Sequence, residues 1–120
     1  MTPDELRTYC LGLNGACEER PFPRSPGVST FKVGGKIFAI SSLDDSPLTV
    51  SLKCEPELAV QLREAHAAIA PGYHLNKRHW NTVTFDGSLP ERMVRDLIED
   101  SYDLVVAGLS RRERLLLDGL

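Results

Sequence analysis

Between Pro71 and Val83 the chain runs PGYHLNKRHWNTV, which holds two bases, two histidines, a tyrosine and the only tryptophan, and no acid. Residue types of this kind suit contact with a polyanion. Lys77 and Arg78 can neutralise phosphates, Asn76 can hydrogen-bond a sugar or a base edge, and Trp80 offers a ring on which a base can stack. A structural reading competes for the same residues: Pro71-Gly72 ends a helix, Asn76 takes a left-handed turn position, and Tyr73 and Trp80 close the edge of a core. The two readings are compatible, and the sequence leaves both open.

Other chemistries find less support. His66, His74 and His79 could be gathered around a metal, but H-x4-H in a loop lacks the one-face geometry of a helical pair, and no carboxylate accompanies it. Cys54 falls at a strand end just before a helix N-terminus, where a thiol pKa can be lowered. Yet no nucleophile elbow, nucleotide-binding glycine loop or paired-carboxylate motif occurs, so a buried, inert cysteine is the simpler reading. No catalytic residue, metal or cofactor is therefore expected. Arg111, Arg112 and Arg114 form a second basic cluster, which joins the first only if the tail folds beside residues 71–80.

Charge and cysteine usage narrow the setting. The net charge of −3 gives no bulk attraction to a polyanion, but the charges are segregated. Residues 21–43 carry Arg24, Lys32 and Lys36 with no acid, whereas residues 89–105 carry Glu91, Asp96, Glu99, Asp100 and Asp103 against two arginines. Three cysteines without a C-x-x-C pair encode neither a disulfide framework nor a thiolate zinc site. With no basic-then-apolar leader and no apolar run of about 20 residues, a cytoplasmic protein with no membrane contact is expected, and a monomer.

Positioning these residues requires a scaffold, which the patterning supplies. Thr2, Pro3 and Glu5 are an N-cap, a first-turn proline and a capping-box acid, predicting a helix from Pro3 to about Leu13. The proline-rich EERPFPRSPG admits only an edge strand, near Arg20–Phe22. STFKV-GG-KIFAI reads as a two-strand hairpin turning on Gly34-Gly35, and LTVSLK as a half-buried strand. EPELAVQLREAHAAIAPG has helical spacing up to Pro71-Gly72, HWNTVTF is a further strand, and a helix capped by Ser88 runs to Gly108. The tail adds a helical turn or two. The expectation is a single α+β domain over residues 1–120: a two-layer sandwich, order α-β-β-β-(β)-α-β-α, with a largely antiparallel sheet and helices on one face.

Such a fold leaves one sheet face open, and alternation lists its side chains. Phe31, Val33, Phe38 and Ile40 are assigned to the core, with Lys32, Ile37 and Ala39 on the open face beside Thr49, Ser51 and Lys53. If Val83 and Phe85 enter the core, Trp80, Thr82 and Thr84 join them outside.

The blocks PFP (21–23), FKVGGKIFA (31–39), LTVSLKCEPELA (48–59), LRE (62–64), PGYHLNKRHWNTV (71–83) and LIEDSYDLVVAGLSRRER (97–114) carry a further signal. Through them the chain resembles the MmcQ/YjbR family over nearly its whole length. The resemblance implies a CyaY-like, or frataxin-like, sandwich and a role commonly labelled DNA-binding, with no catalytic activity attached. It marks Asn76, Lys77, His79 and Trp80 as signature positions, followed by Lys36 and Lys53. Two positions depart: Pro23 stands where the family often has glycine, and Asp100 where a histidine is frequent. A frataxin-like fold also raises iron binding by Asp4, Glu5, Glu18 and Glu19, but these are too few for an acidic ridge, and a fold does not carry function with it.

The expectation is a non-catalytic module that binds DNA weakly through Lys32, Lys36, Lys53, Asn76, Lys77, Arg78, His79 and Trp80. No helix carries the run of Arg, Asn and Gln suited to base edges, so sequence specificity is not expected. The alternative partner is an acidic protein or a phosphorylated small molecule.

Overall fold

The computed structural model describes residues 1–119. Its first helix, α1 (Pro3–Leu11), starts where the capping box places it: Glu5 N donates to Thr2 Oγ1 at 3.1 Å and Thr2 N returns a bond to Glu5 Oε1 at 3.2 Å. Gly12 ends it two residues earlier than predicted. Strand β1 (Cys17–Glu19) lies upstream of the expected Arg20–Phe22, because Pro21 and Pro23 have no N–H to pair with β2 (Val28–Val33).

β2 and β3 (Lys36–Ser42) form the predicted hairpin, with Gly34 and Gly35 at φ +58° and +77°. A Cβ on Gly34 would lie 2.8 Å from Leu109 Cδ1, so the turn also needs glycine for close approach. A bulge falls opposite Phe31/Lys32, and it corrects the predicted facing of β3. Register pairs Ala39 with Phe31 and with Leu52 of β4 (Thr49–Lys53), so Ala39 is in the core; Ile40 pairs with Thr30 and Ser51 on the other face. One extra residue reverses the alternation beyond it.

Helix α2 (Pro56–Ala65) stops at His66 rather than at Pro71. Residues 69–71 form a short strand, β5 (Ile69–Pro71), whose Ile69 is buried opposite Val83 of β6 (Trp80–Thr84). Helix α3 (Glu91–Ala107) begins after Pro90; Ser88 bonds Asp86 Oδ1 instead of capping it. The tail forms α4 (Arg111–Asp118), opened by a second capping box between Ser110 and Glu113.

All strands pair antiparallel in the order β1-β2-β3-β4-β6-β5. Helix α3 lies across β2, β3 and β4, and α2 lies on β5 and β6, giving the α+β two-layer arrangement with helices on one face. Phe31, Phe38, Leu6, Ile98, Val50 and Val83 fill the interface, each essentially without exposure. Burying side chains of this size contributes about 1.5–3 kcal/mol apiece.

The pair Ser101-Tyr102 ties α3 to the sheet. Ser101 Oγ donates to Phe38 O at 2.6 Å and accepts from Lys53 N at 2.8 Å, standing between β3 and β4 where their pairing ends at Ala39 and Leu52. Tyr102 packs edge-on to Phe38 at 5.5 Å and donates to Asn14 O at 2.6 Å.

Candidate nucleic-acid interface

Strand register sets out the open face, since residues directly opposite one another share it. Nearest the glycine hairpin, Lys32 pairs with Ile37 and Cys17, and Lys53 pairs with Trp80. The next row holds Glu19, Thr30, Ile40, Ser51 and Thr82, with the Ser51 and Thr82 hydroxyls 2.8 Å apart. Trp80, Thr82 and Thr84 are half-buried on this face while Val83 is buried beneath them, the alternation expected of β6.

The loop 72–79 closes the same end of the sheet. Gly72 N donates to Trp80 O at 2.8 Å, and a Cβ at Gly72 would sit 2.7 Å from Trp80 Cβ, so the loop hugs the strand. The left-handed residue is His74, at φ +58°, not Asn76; its ring packs against Tyr73 with centroids 4.0 Å apart and the planes tilted by 51°. Asn76 serves as the turn's acceptor: its Oδ1 takes the Arg78 N–H at 2.9 Å and its carbonyl takes those of His79 and Trp80. His79 O accepts from Cys54 N at 2.7 Å, anchoring the loop beside Lys53.

The bases predicted to act together are divided by this arrangement. Lys77 Nζ donates to Gly72 O at 2.9 Å and Lys77 O accepts from Arg63 Nη1, so this lysine braces the loop. Lys32 pairs with Glu19 at 2.9 Å. Lys36 turns to the helix layer, donating to Gly108 O at the C-terminus of α3, where a cation meets the negative end of the helix dipole. Lys53 and Arg78 form no salt bridge among the described residues; Lys53 lies directly opposite Trp80, and Arg78 is exposed on the loop two residues before it. The arginine-rich tail does not extend this patch: α4 docks on the α1–β1 connection, with Asn14 Nδ2 on Leu117 O, while loop 72–79 docks on α2 and β6.

Comparison with known proteins gives this geometry a lineage. The family model described as YjbR matches residues 11–104. The chain belongs to the YjbR family. An uncharacterized YjbR protein of Escherichia coli (strain K12) is 39% identical over 117 residues, covering 98% of both chains. The uncharacterized YbdF of Escherichia coli O157:H7 is 40% identical over 104 residues, covering 87% of this chain and 85% of its own. The crystal structure of Deinococcus radiodurans protein DR2400 superposes with a TM-score of 0.90 at 41% identity, over 98% of this chain and 88% of that one. A Pseudomonas syringae protein of known crystal structure has a TM-score of 0.76 at 28% identity, over 87% of this chain and 98% of that one. These relatives establish the YjbR fold and family and attach no activity to it.

Neither buried cysteine of this YjbR protein is prepared for nucleophilic work. Burial, then Asp100 and Glu55, push the Cys54 thiol up, and burial with Glu18 pushes Cys10 up to about 12. Among the described residues no cluster of His, Cys, Asp and Glu is placed to hold a metal, and no helix is long and apolar enough to cross a membrane.

Proposed function

We propose that the hairpin end of the open sheet face, with loop 72–79, binds nucleic acid weakly and without sequence specificity. The observation that carries this reading is the adjacency of Lys53 and Trp80 across β4 and β6, with Arg78 two residues before Trp80 on the loop that leads from β5 into β6, and no acid paired to either cation among the described residues. A ring for base stacking thus lies beside one charge for a phosphate, with a second on the adjoining loop, and the Ser51 and Thr82 hydroxyls form the next row. Lys32 is a marginal contact, since contact with phosphate competes with Glu19. Lys36 and Lys77 contribute through the fold rather than through the ligand, and Asn76 and His79 shape the loop.

Fluorescence anisotropy with labelled single-stranded DNA, duplex DNA and RNA tests the reading. Dissociation constants near the 10⁻⁴ to 10⁻⁶ M typical of non-specific contacts are expected at physiological salt. A Lys53→Glu, Arg78→Glu double variant should weaken binding and reduce the logarithmic salt slope by about 1.5–2. Unchanged affinity and slope in that variant overturn the proposal.

The engagement of Lys32 and Lys77 leaves few cations and favours a smaller anion as the second reading: an acidic peptide or a phosphorylated small molecule held by Lys53 and Arg78. A melting temperature raised by phosphorylated metabolites or acidic peptides, but not by oligonucleotides, selects it.

A further inference from the structure

The helix side of the sheet holds a cavity of about 380 Å³ between α2 and α3, within the size range of small-molecule sites. Leu58 and Leu62 of α2 face Leu97 and Leu104 of α3 across it, and Leu52, Val83 and Asn81 form its floor. The position of Asn81 is unusual for a floor residue. It is 3% exposed, its Nδ2 donates to Ala59 O at 3.4 Å, and its Oδ1 meets no protein donor. Because Ala59 O can only accept, the amide cannot be turned round, and Oδ1 is left without a donor at the cavity floor, where it is sealed from solvent. A buried carbonyl of this kind is costly unless something donates to it.

The rim has a sign. Asp100 and Asp103 stand on the α3 side and Glu55 at the start of α2. The one base along the rim, Lys53, belongs by register to the opposite face of the sheet. Partial burial, then Asp103, Asp96 and Glu99, hold the Asp100 carboxyl above its ordinary range, so a positive charge here relieves repulsion already present.

We propose that this cavity binds a small organic cation with a hydrogen-bond donor at one end, an apolar body between Leu58, Leu62, Leu97 and Leu104, and an ammonium at the other end. Entry of the ligand displaces the side chains that seal Asn81 Oδ1, so that the donor bonds this oxygen at the floor, and the ammonium faces Asp100 and Asp103 at the rim. This site lies on the helix side of the sheet, away from Trp80; Lys53 stands at the boundary of the two sites, and the cavity is tested by variants that leave Lys53 and Arg78 in place.

Tyramine matches the three requirements, and two analogues each remove one: 2-phenylethylamine lacks the phenol donor, and 3-(4-hydroxyphenyl)propionate replaces the cation with an anion. In ¹H–¹⁵N NMR titrations to about 10 mM, tyramine should give saturable shifts at the Asn81 side-chain amide and at Leu58 and Leu104, with a dissociation constant on the order of 1 mM. 2-Phenylethylamine should bind several-fold more weakly and the propionate not measurably. Asp100→Asn with Asp103→Asn, both exposed positions, should abolish the preference for cation over anion. Asn81→Leu should abolish the preference for tyramine over 2-phenylethylamine. The proposal is overturned by the absence of saturable tyramine shifts, by shifts centred on Trp80 instead of the cavity, or by equal binding of tyramine and the propionate.

Discussion

Replacing Ser101 by alanine removes one hydroxyl and leaves two backbone groups without a partner, the carbonyl of Phe38 and the N–H of Lys53. Ser101 is fully buried, so water has no direct route to either group. An unsatisfied buried donor or acceptor costs about 1–3 kcal/mol, which puts the substitution at roughly 2–6 kcal/mol for the pair. Against a total stability of about 5–15 kcal/mol, that is a large fraction. At about 3–5 °C per kcal/mol for a chain of this size, the melting temperature should fall by roughly 6–30 °C. Urea unfolding followed by circular dichroism gives the free energy, and hydrogen exchange at the Lys53 amide reports the local loss. If the variant lies within about 0.5 kcal/mol of the parent and Lys53 N–H stays protected, β3 and β4 close their ladder unaided, and the bridging role assigned to Ser101 is wrong.

A thiol reagent at mildly alkaline pH should modify one cysteine per folded chain, the exposed Cys17; mass spectrometry that finds Cys54 or Cys10 labelled equally fast contradicts their raised thiol pKa values. Burial alone would raise the Glu18 carboxyl, but hydrogen bonds from Ser29 and Arg7, both at 2.6 Å, outweigh it and hold the group below its ordinary 4.5. The unfolded chain therefore binds the proton first as pH falls, and the Glu18 contribution, complete above the ordinary carboxylate range, disappears as pH drops through the folded value. A Glu18→Gln variant should accordingly lose stability at neutral pH and show a shallower acid limb in thermal melts; an identical acid limb removes Glu18 from the account. Lys36→Gln should cost only about 0.3–1 kcal/mol in urea unfolding and leave the nucleic-acid salt slope unaltered. Arg78→Gln should lower that slope by about 0.7–0.9, and equal effects of the two substitutions on slope would falsify the division of bases drawn above.

Local chemistry made much of the scaffold legible. The Thr2–Glu5 capping box, the Gly34-Gly35 hairpin and the alternation of β4 and β6 are each dictated by residues a few positions apart, and each forms where its pattern lies. The misplacements arise where tertiary pairing decides. Ile69 fits the helical spacing of α2, yet it pairs with Val83, and only the three-dimensional sheet offers that partner. The bulge opposite Phe31/Lys32 leaves no local trace, and it exchanged the facing of Ala39 and Ile40. For the candidate site, alternation was enough to assign Lys53 and Trp80 to one face, but their adjacency needed the pairing of β4 with β6. Alternation could not show that Lys77 reaches back to Gly72 or that Lys36 reaches Gly108, because a lysine's four-carbon stem lets its charge settle far from its Cα. The cavity floor was similarly hidden: Asn81 sits inside a strand of otherwise ordinary alternation, and its unmatched oxygen is visible only once Ala59 is placed.

The excess of acids on α3, on the far side of the sheet from Lys53 and Trp80, bears on how the molecule meets a polyanion. Five acids against two arginines crowd α3, Lys53 and Arg78 lie at the open face of the sheet, and the shortest dimension of the molecule is 26 Å. In about 0.01 M salt the Debye length is ~30 Å, longer than that thickness, so a distant nucleic acid senses both layers together and is repelled by their net negative sum. Near 0.15 M the screening length shrinks to ~8 Å, and only the layer turned towards the ligand is felt. Added salt first silences the remote helix and only later the contacting lysine and arginine. The affinity curve for nucleic acid should therefore pass through a maximum at intermediate ionic strength, and a strictly monotonic decline would mean that α3 is too far away, or too well solvated, to be sensed at all.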